Sequence, residues 1–136
     1  MNGIELKTLR ERLGLSDADV AEYIAGVMPR SYRNWESGAR KVPNDVVIEL
    51  QRINVVIETS TLEALDAVIE LTAKHGSKPD AIDLVRYRTP DVADKLGQSI
   101  EGIKPEISFK IRNTIVRRTC DALERAGYVV DIELIS

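Results

Sequence analysis

Apolar residues recur at helical spacing through the first half of the chain, and the polar residues between them mark where each helix starts and stops. Ile4, Leu6, Leu9 and Leu13 predict a first helix, opened by the capping pair Asn2 and Glu5 and stopped at Gly14. Ser16 and Asp19 repeat that capping pattern and predict a second, short helix through Val20, Ala21 and Ile24. Ala25-Gly26-Val27 predicts a tight turn. Pro29 suits the first turn of a third helix, where its missing N–H costs nothing, and that helix should run through Tyr32 and Trp35 to Gly38. Pro43-Asn44-Asp45 is another start signal. Apolar residues then recur at 46/47, 50, 53, 57, 62, 65, 68/69 and 71/72. The pattern predicts one unusually long helix, or two joined near Thr59-Ser60-Thr61, where three poor helix formers cluster.

His75-Gly76-Ser77-Lys78-Pro79 reads as a linker, and beyond it the periodicity changes. Ile82 to Arg88 has the look of a strand. Thr89-Pro90-Asp91 caps a short helix to Leu96. Pro105 opens a long helix with Ile107, Ile111, Ile115, Thr119/Cys120 and Leu123 on one face, stopped by Gly127. Tyr128 to Ile135 alternates around Val130, Ile132 and Leu134 as a strand does. The expected fold class is mainly α with a small α+β C-terminal segment. A helix-turn-helix bundle with its long following helix would occupy 1–75, and an α+β dimerisation segment 79–136, with strands 82–88 and 128–134 able to pair.

Composition narrows the classes of function. Aromatic residues make up only 4% of the 136, so the core must come from Leu, Ile, Val and Ala. No apolar run approaches the roughly 20 residues that span a bilayer. The first residues lack the apolar stretch of a signal peptide, and Cys120 is the single cysteine, so a reducing, cytoplasmic setting without a membrane partner is expected. A net charge of −3 argues at first against a nucleic-acid partner. Its distribution reverses that argument, because 28–41 holds Arg30, Arg33, Arg40 and Lys41 against Glu36 alone. One positive edge is enough to bind phosphate.

The two short helices around Gly26 meet the needs of a helix-turn-helix. Ala21 and Val27 are small enough to lie where the helices cross. Tyr32 and Trp35 fall three apart on an inner face, which leaves Arg30, Ser31, Arg33 and Asn34 on other faces. Arg can donate two hydrogen bonds to guanine, and Asn can pair bidentately with adenine. Ser37, Arg40 and Lys41 follow in a loop within reach of phosphates. The pieces Leu-Gly-Leu-Ser, Val-Ala-Glu and Trp-Glu-Ser-Gly, in this order and spacing, resemble the XRE/Cro-type helix-turn-helix family of phage and bacterial repressors. Arg-Ser-aromatic-x-x-Trp-Glu-Ser-Gly, the Val-Pro-x-Asp helix start and the long helix after it resemble more closely the anti-CRISPR-associated regulators. The resemblance implies base-reading positions at Pro29, Arg30, Arg33 and Asn34, and a structural pairing of Arg10 with Glu36. It departs at Pro29, which has no polar side chain to read with, and at Asp17, where many members carry a phosphate-contacting Gln. The turn also holds one residue more than the commonest spacing.

Other readings weigh less. Trp35 and Cys120 sit at core positions. Lys110, Arg117 and Arg118 form a second basic stretch, which a solvated helix face paired with Asp121 and Glu124 would explain. No second histidine, Cys-x-x-Cys, phosphate loop or nucleophile elbow favours an enzyme, a metal site or a cofactor. The expected function is a phage or prophage repressor that binds double-stranded operator DNA as a homodimer and controls its own promoter. The alternative is an antitoxin-like regulator whose C-terminal segment binds a partner protein.

Overall fold

The computed structural model describes residues 1–136. Six helices and a two-stranded sheet follow one another as α1 (Gly3–Leu13), α2 (Asp17–Val20), α3 (Pro29–Glu36), α4 (Asn44–His75), β1 (Ile82–Tyr87), α5 (Pro90–Lys95), α6 (Pro105–Arg125) and β2 (Val130–Ile135). The architecture is therefore mainly helical with a small α+β part at the C-terminal end, as the periodicity predicts.

Both capping boxes form. Asn2 Oδ1 accepts from the Glu5 N–H at 2.8 Å, and Ser16 Oγ accepts from the Asp19 N–H at 3.0 Å, while each acid returns a bond to its cap's backbone. After Val20 the helix widens into a π-helical turn over Ala21–Ala25, closed by Gly26. A π turn accommodates one residue more than an α turn, so the extra residue noted in the sequence is absorbed in the helix before the turn.

α4 is one helix of 32 residues, about 48 Å long at the usual rise. Thr61 does not interrupt it, and its hydroxyl bonds back to the Ile57 carbonyl at 2.7 Å. β1 and β2 pair in parallel, from Ile82 opposite Val130 to Tyr87 opposite Ile135, and α5 and α6 make the crossover that a parallel pair requires.

The core joins the two ends of the chain. Leu6, Leu9, Leu13, Val20, Tyr32, Leu50, Ile53 and Ile57 pack in one buried cluster with Ile107, Ile111 and Ile115 of α6. Ile4 belongs to the predicted apolar stripe of α1 but is 78% exposed, since at 3.6 residues per turn it falls on the side of the helix opposite the buried Leu6, Leu9 and Leu13. Gly3 shows why α1 can close on α3: a methyl group there would overlap the carbonyl oxygens of Trp35 and Glu36. No helix is long and apolar enough to cross a membrane.

Candidate nucleic-acid interface

α3 is held from beneath and left open above. Tyr32 is fully buried, and Trp35 meets it edge to face with ring centroids 5.6 Å apart. Below them the Arg10 guanidinium forks onto Glu36, with Nε donating to Oε2 at 2.7 Å and Nη2 to Oε1 at 3.1 Å. Arg10 Nη1 also donates to the Leu15 carbonyl at 3.0 Å, so one side chain ties α1, the α1–α2 loop and the end of α3. Burial alone would raise the Glu36 carboxyl, but the hydrogen bonds from Arg10 outweigh it and hold the group below its ordinary value. Burial, with Glu36 alongside, pushes the Tyr32 phenol far above its ordinary value, so it stays neutral.

The outward face carries the polar residues. Arg30, Ser31 and Arg33 are exposed and Asn34 is half-buried. Pro29 fills the first helical position, with Met28 as a 73% exposed neighbour. Arg33 leans toward Asp17 at the start of α2, with 3.6 Å between Nη1 and Oδ2. Both groups are substantially exposed, so water screens the pair and leaves Arg33 free to exchange partners. Arg30, Arg40 and Lys41 have no carboxylate within 4 Å.

The loop after α3 is organised by its own side chains. Ser37 Oγ donates to the Asn34 carbonyl at 3.2 Å and accepts from the Ala39 N–H at 3.4 Å, and the Arg40 N–H donates to that same carbonyl at 3.0 Å. The Ser37 hydroxyl thus shapes the loop that presents Arg40 and Lys41. The geometry brings Arg30, Ser31, Arg33, Asn34, Ser37, Arg40 and Lys41 onto one helix and the loop that leaves it, over the structural group Arg10, Trp35 and Glu36.

The second basic stretch does not pair as a solvated helix face would. Lys110 reaches across to α2, where its Nζ donates to Asp19 Oδ2 at 2.6 Å, and Arg118 Nη2 donates to the Arg12 carbonyl at 2.8 Å. Asp121 and Glu124 are not their partners. Glu124 instead accepts from Cys120 Sγ at 2.9 Å, a contact that, with burial, raises the thiol to about 11. Periodicity along α6 could not reveal these partners, because they lie 91 and 106 residues away.

This arrangement is a small helical unit carrying a polar helix face over a closed bundle. The chain belongs to the Aca2/YdiL-like family, whose profile matches residues 1–94. It is similar to the Aca2 repressor of Pectobacterium phage ZF40, 42% identical over 50 residues, which are 37% of this chain and 43% of that protein. The match thus spans less than half the length of that relative. The family assignment agrees with the resemblance read from the sequence.

Proposed function

We propose that the chain is a sequence-specific transcriptional repressor that binds double-stranded operator DNA with α3 in the major groove. The observation that carries this reading is the contrast across α3. Tyr32, Trp35 and Glu36 anchor one side, while Arg30, Ser31, Arg33 and Asn34 face outward with base-reading chemistry. Arg40 and Lys41 follow as phosphate contacts on the same edge. The Aca2 repressor of a phage as a relative supports a phage or prophage regulator acting in the cytoplasm.

The reading includes a homodimer on an inverted repeat, with half-sites about 34 Å apart, and control of its own promoter. Residues 1–75 would read the operator and 79–136 would join the two copies. On the apolar strand face of Val130, Ile132 and Leu134, the last two are about half exposed, which gives the C-terminal segment an apolar surface to share. Ile107, Ile111 and Ile115 do not contribute to that surface, since they lie in the chain's own core. The antitoxin-like alternative would place a partner protein on the same β2 surface, and co-purification of such a protein favours it.

A gel-shift assay on the DNA upstream of the chain's own gene tests the reading. Arg30→Ala is expected to weaken specific binding by roughly 1–3 kcal/mol, as loss of a bidentate base contact does. Unchanged operator affinity in the folded variant refutes the role of Arg30.

A further inference from the structure

We propose that Arg86, Lys110, Asn113 and Arg117 form a second phosphate site, which grips the backbone of the same DNA duplex beside the bases that α3 faces. The inference rests on the DNA-binding reading of α3 and extends it to α6, which lies outside the family match at 1–94. The four residues, with Gly14 and Thr114, line a cavity of about 100 Å3 in which no residue is apolar. Lys110, Asn113, Thr114 and Arg117 fall on one face of α6 by their spacing, and Arg86 comes from β1.

The donors are placed. The Asn113 amide bonds to the Tyr87 backbone as a neighbouring strand would, accepting from its N–H at 2.9 Å and donating to its carbonyl at 2.8 Å. The second N–H of that amide remains free to donate. Thr114 turns its hydroxyl to the carbonyls of Leu13 and Lys110, at 2.9 and 3.0 Å, so it acts as wall and not as donor. Gly14 keeps the wall low: a Cβ there would collide with the Thr114 hydroxyl.

Part of the charge is uncompensated. Asp19 neutralises Lys110, but neither Arg86 nor Arg117 has a carboxylate within 4 Å, and the same holds for Arg12 and Arg118. Arg118 shows the crowding: burial lowers its pKa first, and the charges of Arg12 and Arg117 lower it further, with Glu58 acting the other way. Such a concentration of cations creates a field that favours an anion.

Contacts link the cavity to α3. Arg33 approaches Asp17 at 3.6 Å, and two residues on, Asp19 holds Lys110 at 2.6 Å. The cavity therefore borders the start of α2, which itself borders the outward face of α3. On this proposal a duplex lying along α3 would bring a phosphate to that side, where Arg86 and Arg117, both exposed, would meet it.

The test uses the full chain and a labelled duplex that extends beyond one half-site, with affinity followed between about 50 and 200 mM salt. Arg86→Gln with Arg117→Gln is expected to reduce the slope of log affinity against log salt by about one unit, equally on all sequences. Arg125→Gln, at the far end of α6, should keep the wild-type slope. A wild-type slope in the folded double variant overturns the proposal and leaves the reading of α3 standing. Should the double variant melt early, Arg117→Gln alone carries the same comparison. A wild-type chain with no salt-dependent DNA affinity overturns both readings together. Inorganic phosphate separates the remaining source: if it raises the melting temperature of the wild type but not of the double variant, while the DNA slope is the same in both, the cavity serves a free anion and the duplex assignment is wrong.

Discussion

The two halves of α4 are built alike and buried unlike. From Asn44 to Ile57 the helix places Val46, Leu50, Ile53 and Ile57 in the core, whereas from Glu58 to His75 no residue is fully buried. The difference continues on either side. α1 to α3 close around Leu6, Leu13, Val20 and Tyr32, while β2 has no buried residue and leaves Ile132 and Leu134 about half exposed. A side chain that must meet a base edge needs a fixed platform, and the closed bundle under α3 supplies one. The C-terminal part has an apolar surface and an unpaired strand edge, features that a second protein surface can cover.

Core truncation should separate the two regions most strongly. Leu50→Ala leaves a cavity among fully buried neighbours and is expected to cost roughly 2–5 kcal/mol. Ile132→Ala, on the exposed strand, should change the stability of the isolated chain by no more than about 0.5 kcal/mol. Chemical denaturation of both variants at low protein concentration gives the comparison. Equal losses would mean that β2 is as tightly packed as the bundle.

The pair beneath α3 comes next. Arg10 and Glu36 have side chains only 13% and 12% exposed, so removing one charge strands the other in a poorly solvated site. Glu36→Gln is expected to cost roughly 2–4 kcal/mol at neutral pH, somewhat less than a fully buried pair would. The folded chain holds Glu36 below its ordinary 4.5 and Asp19 below its ordinary 3.8, so near those values the unfolded chain binds more protons. Their contribution is therefore complete above the unfolded values and is lost as pH falls through the folded ones. Melting curves between about pH 3 and pH 6 should rise less steeply in Glu36→Gln than in the wild type. An unchanged rise would show that Glu36 is not part of the acid sensitivity.

The exposed surfaces can be set against each other by oligomeric state. Ile132→Asp is expected to give a monomer at micromolar concentration without loss of fold, and Leu62→Asp to leave the dimer intact. Ile48, Val55, Leu62 and Ile69 repeat every seven residues and are all exposed, so α4 offers a rival seam of coiled-coil type. Sedimentation of the two variants decides between them. Dissociation by Leu62→Asp alone would move the contact from β2 to α4.

Local chemistry made the bundle legible. Asn2 with Glu5 and Ser16 with Asp19 announce helix starts through bonds made within four residues, Pro29 does so through its fixed φ and missing N–H, and the structure begins its helices there. The strand-like composition of Ile82 to Arg88 and the alternation of Tyr128 to Ile135 marked both strands to within two residues. Contacts distant in sequence were not legible. Asp19 reads as a capping acid, and nothing near it reveals that α6 will bring Lys110 to the same carboxylate. Gly3 reads as an ordinary first-turn residue, and only the approach of Trp35 and Glu36 explains it. The Arg10–Glu36 pairing came from family resemblance, since a separation of 26 residues has no periodic signature.

A modest effect is expected at the seam between the regions, where Thr72 near the end of α4 meets Tyr128 ahead of β2. Their hydroxyls are 2.7 Å apart, and the Thr72 hydroxyl also donates to the Val68 carbonyl at 2.9 Å. A hydroxyl has one hydrogen, so with that of Thr72 directed to Val68, Tyr128 must be the donor of the shared bond. The two deletions are then unequal. Tyr128→Phe removes a donor, leaves Thr72 bonded to Val68, and keeps an aromatic ring beneath Lys78, whose Nζ lies 4.9 Å from the ring centroid. It is expected to cost about 0.5–1.5 kcal/mol. Thr72→Val removes the acceptor and leaves the hydroxyl of Tyr128, a buried residue, without its partner, so it should cost more, about 1–3 kcal/mol. Denaturation midpoints of the two single variants measure the order. A larger loss in Tyr128→Phe would reverse the direction of the bond, and no loss in either would mean that this hydroxyl pair does not hold α4 to the sheet.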